Sequence, residues 1–150
     1  MSITICCSLF AAKGDVLRVN NTAKFYKSLA ADAGASFTLV LINDQSEESF
    51  DFLIPHIKPA GYCTDVKYFK SPDRVGKAKQ LNRVFSSIRT EYVGIVDNDV
   101  ILPKYWLSDA IKVLSEDHVA ICGVLVEGWI KVQGEIYTAA LHDRYPVKYV

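Results

Sequence analysis

Short apolar runs alternate with segments of helical periodicity through the first two thirds of the chain. Residues 3–9 form an apolar, β-branched run of the kind buried on both faces, a first strand. Asp15 then offers an N-cap. Val16, Val19, Ala23, Tyr26, Ala30 and Ala33 recur at spacings of three and four, with Leu29 beside them, and Gly34 closes the pattern. This predicts an amphipathic helix with a start and a stop signal. Residues 37–42 read as a second strand that runs into the polar turn Asn43-Asp44-Gln45-Ser46. Residues 47–57 can hold a short helix, weakened by Pro55, and residues 65–69 read as a third strand. Ser71-Pro72 predicts the next helix start, with Ser as N-cap and Pro in first position. Val75, Ala78, Leu81, Phe85 and Ile88 would line its inward face. Residues 92–96 form a fourth apolar strand that ends abruptly in Asp97-Asn98-Asp99. Pro103 is expected to open another helix, with Trp106, Leu107, Ala110, Ile111 and Leu114 inward, and residues 119–126 a fifth strand. Residues 129–132 and 135–137 can pair across Gln133-Gly134 as a hairpin. Beyond Thr138 the pattern fades.

Strand and helix alternate four times, and the strands are too uniformly apolar to have a solvated face. The pattern predicts an α/β, three-layer sandwich with a mainly parallel, Rossmann-like sheet. With 150 residues, no internal repeat and no linker-like stretch, one domain spanning 1–150 is expected. Half of the residues are apolar and 23% are charged, which excludes a disordered or low-complexity chain. Lys and Arg balance Asp and Glu at 17 each, which argues against a dedicated nucleic-acid or membrane-surface protein. The four cysteines form no C-x-x-C pair and lie among apolar neighbours, as expected for reduced thiols in a cytoplasmic setting. The apolar N-terminus carries no basic residue ahead of it and reads as a buried strand rather than a signal peptide. No run of 18 apolar residues predicts a membrane span.

In open α/β sheets ligands bind beyond the carboxyl ends of the strands, so the polar residues delivered there are the candidates. Strand one delivers Ser8, strand two Asn43 and Asp44, and strand four Asp97 and Asp99. An Asp-x-Asp pair by itself proves little, since the 11 Asp of this chain give about one such spacing by chance. A solvated turn with a helix-capping aspartate has the same spacing. Its place at a strand exit raises its value, because two carboxylates there can approach one hard cation that also binds phosphates. The charge distribution adds a second signal. Residues 67–89 carry 7 basic side chains and 1 acidic one, and lead straight into the acidic turn. These are Lys67, Lys70, Arg74, Lys77, Lys79, Arg83 and Arg89. A basic element beside a metal-binding pair suits a nucleoside diphosphate, although a solvated helix face explains any one of these residues equally well.

Gly76-Lys77-Ala78-Lys79-Gln80-Leu81-Asn82, then Glu91-Tyr92-Val93-Gly94-Ile95-Val96-Asp97-Asn98-Asp99, then Leu102-Pro103 and Trp106-Leu107 together resemble the GT-A fold glycosyltransferases of family two. Asn43-Asp44-Gln45-Ser46 is similar to an earlier D-D-x-S turn of that family. The resemblance covers residues 2–115, and 76–107 is its specific part. It implies transfer of a sugar from a nucleotide-sugar donor, UDP-linked first of all, to an acceptor the sequence does not name. By the same resemblance Asp44 would bind the nucleobase and Asp97 would face the ribose or a metal-bound water. Asp99 would coordinate Mg²⁺ or Mn²⁺ on the diphosphate. Arg74 or Lys77 would assist the phosphates, and Asn82 would orient the turn. Asn43 stands where the family has its first aspartate, and Ser8 to Lys13 depart from the family's turn after strand one.

Inverting members place a base well beyond the metal motif, and the C-terminal carboxylates Glu127, Glu135 and Asp143 are the weak candidates here. His142 beside Asp143 invites a metal-ligand reading, and Trp129 a sugar-stacking one, but a core or surface role fits each as well. The apolar, aromatic tail from Tyr145 onward would pack on the sheet or support a homodimer. Two other readings stay open. One is a nucleotide-sugar-binding module without transfer activity. The other is a nucleotidyltransferase-like α/β protein, which the absence of a glycine-rich phosphate loop disfavours.

Overall fold

The structure is a computed structural model, which describes residues 1–50, 59–116, 119, 122–123 and 148–149. The chain divides into two compact units, Met1–Lys104 and Tyr105–Val150. In the first unit the elements run β1 (Ile3–Leu9), α1 (Val16–Ala31), β2 (Phe37–Asn43), β3 (Cys63–Lys70), α2 (Lys77–Phe85) and β4 (Tyr92–Asp97). The strands form one four-stranded sheet in the order β3-β2-β1-β4, and all three pairings are parallel. This is the mixed α/β architecture expected from the alternation of apolar runs and helical periods.

The step from β1 to β2 crosses the sheet in one direction and the step from β3 to β4 in the other. Right-handed crossovers therefore place α1 and α2 on opposite faces. Pleating sorts the strand residues accordingly. Cys6, Val40 and Ile42 pack with Leu81 of α2, and Val84, Phe85 and Ile88 close round them. The alternate positions Ile5, Cys7, Leu9, Phe37, Leu39 and Leu41 are left for the other face, and Val19, Phe25 and Leu29 of α1 are buried to the same degree. Each of these large side chains contributes about 1.5–3 kcal/mol on full burial. On that second face β4 presents Gly94 to Ile5, whose Cδ1 lies 2.6 Å from where a Cβ on residue 94 would stand. A Cβ there would have to displace that Ile5 methyl.

Several sequence expectations need correction. The Asp15 cap is present, its carboxylate accepting from the Arg18 N–H at 3.1 Å, but the buried stripe of α1 runs through Thr22 and Phe25, and Val16 is exposed. A phenylalanine gains more by burial than a tyrosine with a hydroxyl to satisfy, so the helix presents Phe25 inward rather than Tyr26 alone. The helix expected from Ser71-Pro72 begins only at Lys77, with Gly76 as N-cap at φ +82°. Residues 71–76 form a loop instead, because tertiary hydrogen bonds described below capture the backbone N–H groups of Val75 and Gly76. Residues 47–50 are not helical, and the remainder of that expected helix lies outside the described residues.

In the second unit α3 spans Trp106–Leu114, three residues later than Pro103 suggested, with Tyr105 in left-handed conformation as its N-cap. Two short parallel strands, β5 (Cys122–Gly123) and β6 (Lys148–Tyr149), pair with each other. The expected hairpin of residues 129–137 lies outside the described residues. Among the described residues no helix is long and apolar enough to cross a membrane.

Candidate donor pocket

β1 and β4 lie side by side, yet the connections leaving and entering them cover opposite faces of the sheet, which makes their carboxyl ends a topological switch point. A cavity of about 430 Å³ opens there. Its wall takes Ser8 and Phe10 from the end of β1 and Arg18 from α1. Asp44 comes from the end of β2, Arg74, Gly76 and Lys77 from the approach to α2, and Asp97, Asn98 and Asp99 from the end of β4. Ser8 and Asp97 are register partners across the β1–β4 pair. The cavity therefore holds three cationic and three anionic side chains on a neutral protein.

The turn after β4 is built around its middle residue. Asn98 is buried, and its Nδ2 donates to Thr22 Oγ1 at 2.8 Å, while that hydroxyl donates to the Arg18 carbonyl at 2.9 Å. Fastening Asn98 to α1 turns its two neighbours outward. Asp97 is 58% exposed and Asp99 is exposed as well. Lys77 Nζ donates to Asp97 Oδ1. Under this turn lies Cys7, fully buried. Its thiol is held well above the usual range first by burial and then by the charges of Asp97 and Asp99, which Lys77 partly offsets.

The turn after β2 is built the opposite way. Asn43 and Asp44 are both buried. Asn43 Oδ1 accepts from the Ser46 N–H at 2.9 Å and its Nδ2 donates to the Tyr68 hydroxyl at 2.9 Å. Asp44 accepts from the backbone N–H of Val75 at 3.0 Å on one oxygen and from that of Gly76 at 2.8 Å on the other. Next to it, Gln45 adopts a positive φ and its Nε2 donates to the Pro72 carbonyl. Above this loop the Arg74 guanidinium lies 4.0 Å from the centroid of the Phe10 ring, a cation–π stack, with Glu47 3.9 Å away.

Of the residues singled out in the sequence, Ser8, Asp44, Arg74, Lys77, Asp97 and Asp99 thus meet at one cavity. Asn43 is not in its wall and is engaged in the β2 turn. Asn82 is exposed on α2 and does not reach it. Glu127, Glu135, Asp143, His142 and Trp129 lie outside the described residues. Phe10, Arg18, Gly76 and Asn98 also line the cavity. Gly76 and Asn98 stand within the segments that carry the family resemblance and Phe10 within the departing turn after strand one, whereas Arg18 had no signal in the sequence. Gln80 was missed too: it is buried on α2 and accepts from Ser8 Oγ at 2.8 Å, which ties the end of β1 to that helix.

The donor set suits a hard divalent cation. Asp97 and Asp99 offer carboxylate oxygens at the cavity wall, and among the described residues no group of three or more His, Cys, Asp or Glu gathers as a metal site, here or elsewhere. Mg²⁺ and similar ions need only one or two protein carboxylates when phosphates and water complete the shell. The residues present therefore fit such an ion.

A family model described as glycosyl transferase family 2 matches residues 18–145. Among solved structures, S. aureus TarS residues 1–349 is similar with a TM-score of 0.69 at 18% identity over 85% of this chain and 36% of that one. The same protein in complex with UDP-GlcNAc gives a TM-score of 0.64 at 20% identity, over 85% and 36%. The mannosyltransferase PcManGT from Pyrobaculum calidifontis, in complex with GDP-Man and Mn²⁺, gives 0.65 at 16% identity, over 82% and 35%. The chain thus spans about a third of the length of these structures, and at such identities the likeness is one of fold. No curated protein sequence gives a significant match.

Proposed function

The chain belongs to glycosyl transferase family 2, and from that premise we propose that the cavity at the β1–β4 switch point binds a nucleoside-diphosphate sugar with Mg²⁺ or Mn²⁺ and serves transfer of the sugar to an acceptor. The observation that carries this reading is that two outward carboxylates, Asp97 and Asp99, line one cavity of the first unit together with Arg74 and Lys77, the latter ion-paired to Asp97. UDP is the first candidate for the nucleotide, since TarS is solved with UDP and UDP-GlcNAc. GDP is the second, since PcManGT is solved with GDP-Man.

Asp97 and Asp99 would hold the cation, whose chemistry when bound is to neutralise charge on the leaving diphosphate. The chain's own cations do related work. Lys77 stands at the first turn of α2, and that helix begins at a glycine and so has no side-chain cap. Its N-terminal N–H groups and positive dipole end favour a phosphate beside them. Arg74 is held over Phe10, which limits the entropy it would lose on meeting an anion. Ser8 presents a hydroxyl at the cavity floor in an orientation set by Gln80.

Three carboxylates reach the cavity. Two are assigned to the cation and the third is engaged with backbone, so the acceptor base falls to residues outside this set, with Glu127 and Asp143 kept as the candidates. The same observation supports a second reading, in which the chain binds the donor without transferring it. Calorimetry of the 150-residue chain with UDP and Mn²⁺ tests the shared part. Saturable binding that needs the metal is expected, and no heat at millimolar UDP from folded protein overturns it. Asp99→Ala should weaken the metal-dependent binding by at least about 100-fold, the upper range already seen for residues that merely support a metal ligand. Measured sugar transfer by the purified chain excludes the second reading.

A further inference from the structure

Arg18 is the one cation of the cavity wall that the donor-site reading leaves without a task. Asp97 and Asp99 meet the charge of a divalent ion, and Arg74 and Lys77 match the two charges of a diphosphate diester, which leaves Arg18 over. It stands in the first turn of α1, three residues after the Asp15 cap. A cation there meets the positive end of the helix dipole, the unfavourable end for it. Asp15 offsets that cost, since one of its oxygens accepts from the Arg18 N–H at 3.1 Å and the other from Arg18 Nε at 3.0 Å. Capping needs no arginine at this position, so local structure gives no reason for one. The guanidinium is held at Nε alone, its side chain stays 43% exposed, and it lines the cavity with Asp97, Asn98 and Asp99. Because α1 and α2 cover opposite faces of the sheet, Arg18 enters the wall from the other face than Lys77. Its backbone is fastened to the turn after β4: the Arg18 carbonyl accepts from the Thr22 hydroxyl at 2.9 Å, and that hydroxyl accepts from Asn98 Nδ2 at 2.8 Å.

We propose that Arg18 is a specificity-determining residue that binds a second anionic group of the substrate, a carboxylate or phosphate carried outside the diphosphate, on the transferred sugar or on the acceptor. The planar guanidinium fork suits either anion and binds it through charge-assisted hydrogen bonds. Nε is committed to Asp15, so the Nη groups are the part offered to a ligand. The pair with Asp15 is exposed and contributes little by itself, so a ligand anion competes for the guanidinium at small cost. The link through Thr22 keeps Arg18 in fixed relation to the turn that carries Asp97 and Asp99. A second anion is thereby read in register with the metal end of the donor. The inference rests on the donor-site reading and narrows it to acidic sugars or acidic acceptors.

Calorimetry with Mg²⁺ on the wild-type chain, Arg18→Gln and Arg18→Lys tests it and separates the two sources of the anion. In the first arm UDP-glucuronic acid is compared with UDP-glucose, which lacks the carboxylate. In the second, methyl phosphate is titrated into the chain saturated with UDP. An anion on the sugar predicts a preference of about tenfold for the glucuronate in the wild type, and none in Arg18→Gln. An anion on the acceptor predicts a saturable heat from methyl phosphate that Arg18→Gln lacks. Arg18→Lys keeps the charge but not the fork, and should retain part of whichever effect is found. A wild type with no preference for the glucuronate and no binding of methyl phosphate overturns the proposal. So does a preference that Arg18→Gln leaves in place. A uniform loss for UDP, UDP-glucose and UDP-glucuronic acid in Arg18→Gln also overturns it, since Arg18 would then belong to the diphosphate. If the wild type binds no UDP, the donor-site reading itself has failed, whereas UDP binding with no response to the added anion fails this inference alone.

Discussion

Two polar turns stand at the same edge of the sheet and are made of the same two residue types, aspartate and asparagine, yet they are built inside out from one another. After β4 the asparagine is buried and fastened to α1, and the aspartates face the cavity. After β2 asparagine and aspartate are both buried, and the carboxylate is spent on the backbone of the next loop. A carboxylate has the same charge in either place. What differs is the partner: Asp44 takes two backbone N–H groups, while exposed Asp97 takes the Lys77 ammonium at the cavity wall. The first arrangement leaves carboxylate oxygens exposed at the cavity, and the second ties a buried carboxylate to the loop before α2.

The largest test of this contrast is in stability. Asp44→Ala strands two N–H groups beside a buried turn and should cost about 2–4 kcal/mol, read as a lower denaturant midpoint. Asp97→Ala and Asp99→Ala should each change stability by no more than about 0.5 kcal/mol, since their carboxylates are exposed. A comparable loss from either of the latter would break the comparison. Next in size is Asn98→Ala, which removes the hydrogen bond to Thr22 and should cost about 1–2 kcal/mol. It should also weaken metal-dependent UDP binding, because the two aspartates lose the anchor between them. An Asn98→Ala chain with unaltered ligand binding would show that the outward pose of Asp97 and Asp99 does not depend on it.

The smallest effect at neutral pH concerns the thiols beneath the open turn. Burial pushes Cys6 from an ordinary value of 9.0 up to about 11, and pushes Cys7 higher still, with Asp97 and Asp99 adding to the shift. Both groups are held above their unfolded values, so their contribution to stability is fully present below about pH 9 and is lost as pH rises through the folded values. Equilibrium unfolding from pH 7 to 10.5 should therefore show a flat region followed by a decline above pH 9. Cys6→Ala should make that decline shallower.

Much of the architecture is legible without coordinates. Strands β1 and β2 are apolar at nearly every position because both faces of the sheet's middle are buried, and that burial writes itself into composition, whereas β4 is as apolar but stands at the sheet edge with Val93 and Ile95 exposed. The aspartates after β4 could be singled out because a strand exit is where this kind of sheet binds ligands. Asn43, Asp44 and the start of α2 could not be resolved in the same way. Ser71-Pro72 is a sound local helix signal, and it is overridden by hydrogen bonds to residues some thirty positions earlier in the chain. Arg18 reaches the cavity from α1, and Phe10 reaches it by stacking under Arg74. Neither relation has a signature in residue spacing.

By itself, then, the sequence determined the order of elements, the parallel sheet and the edge at which chemistry would gather, because hydrophobic burial and strand direction are encoded locally and repeat along the chain. Only the tertiary structure decided which aspartates stand exposed at the cavity and which one is buried against a loop. That choice depends on whether backbone donors from a distant segment come within hydrogen-bonding reach of a carboxylate, and one residue's identity carries no record of the partners folding will bring to it.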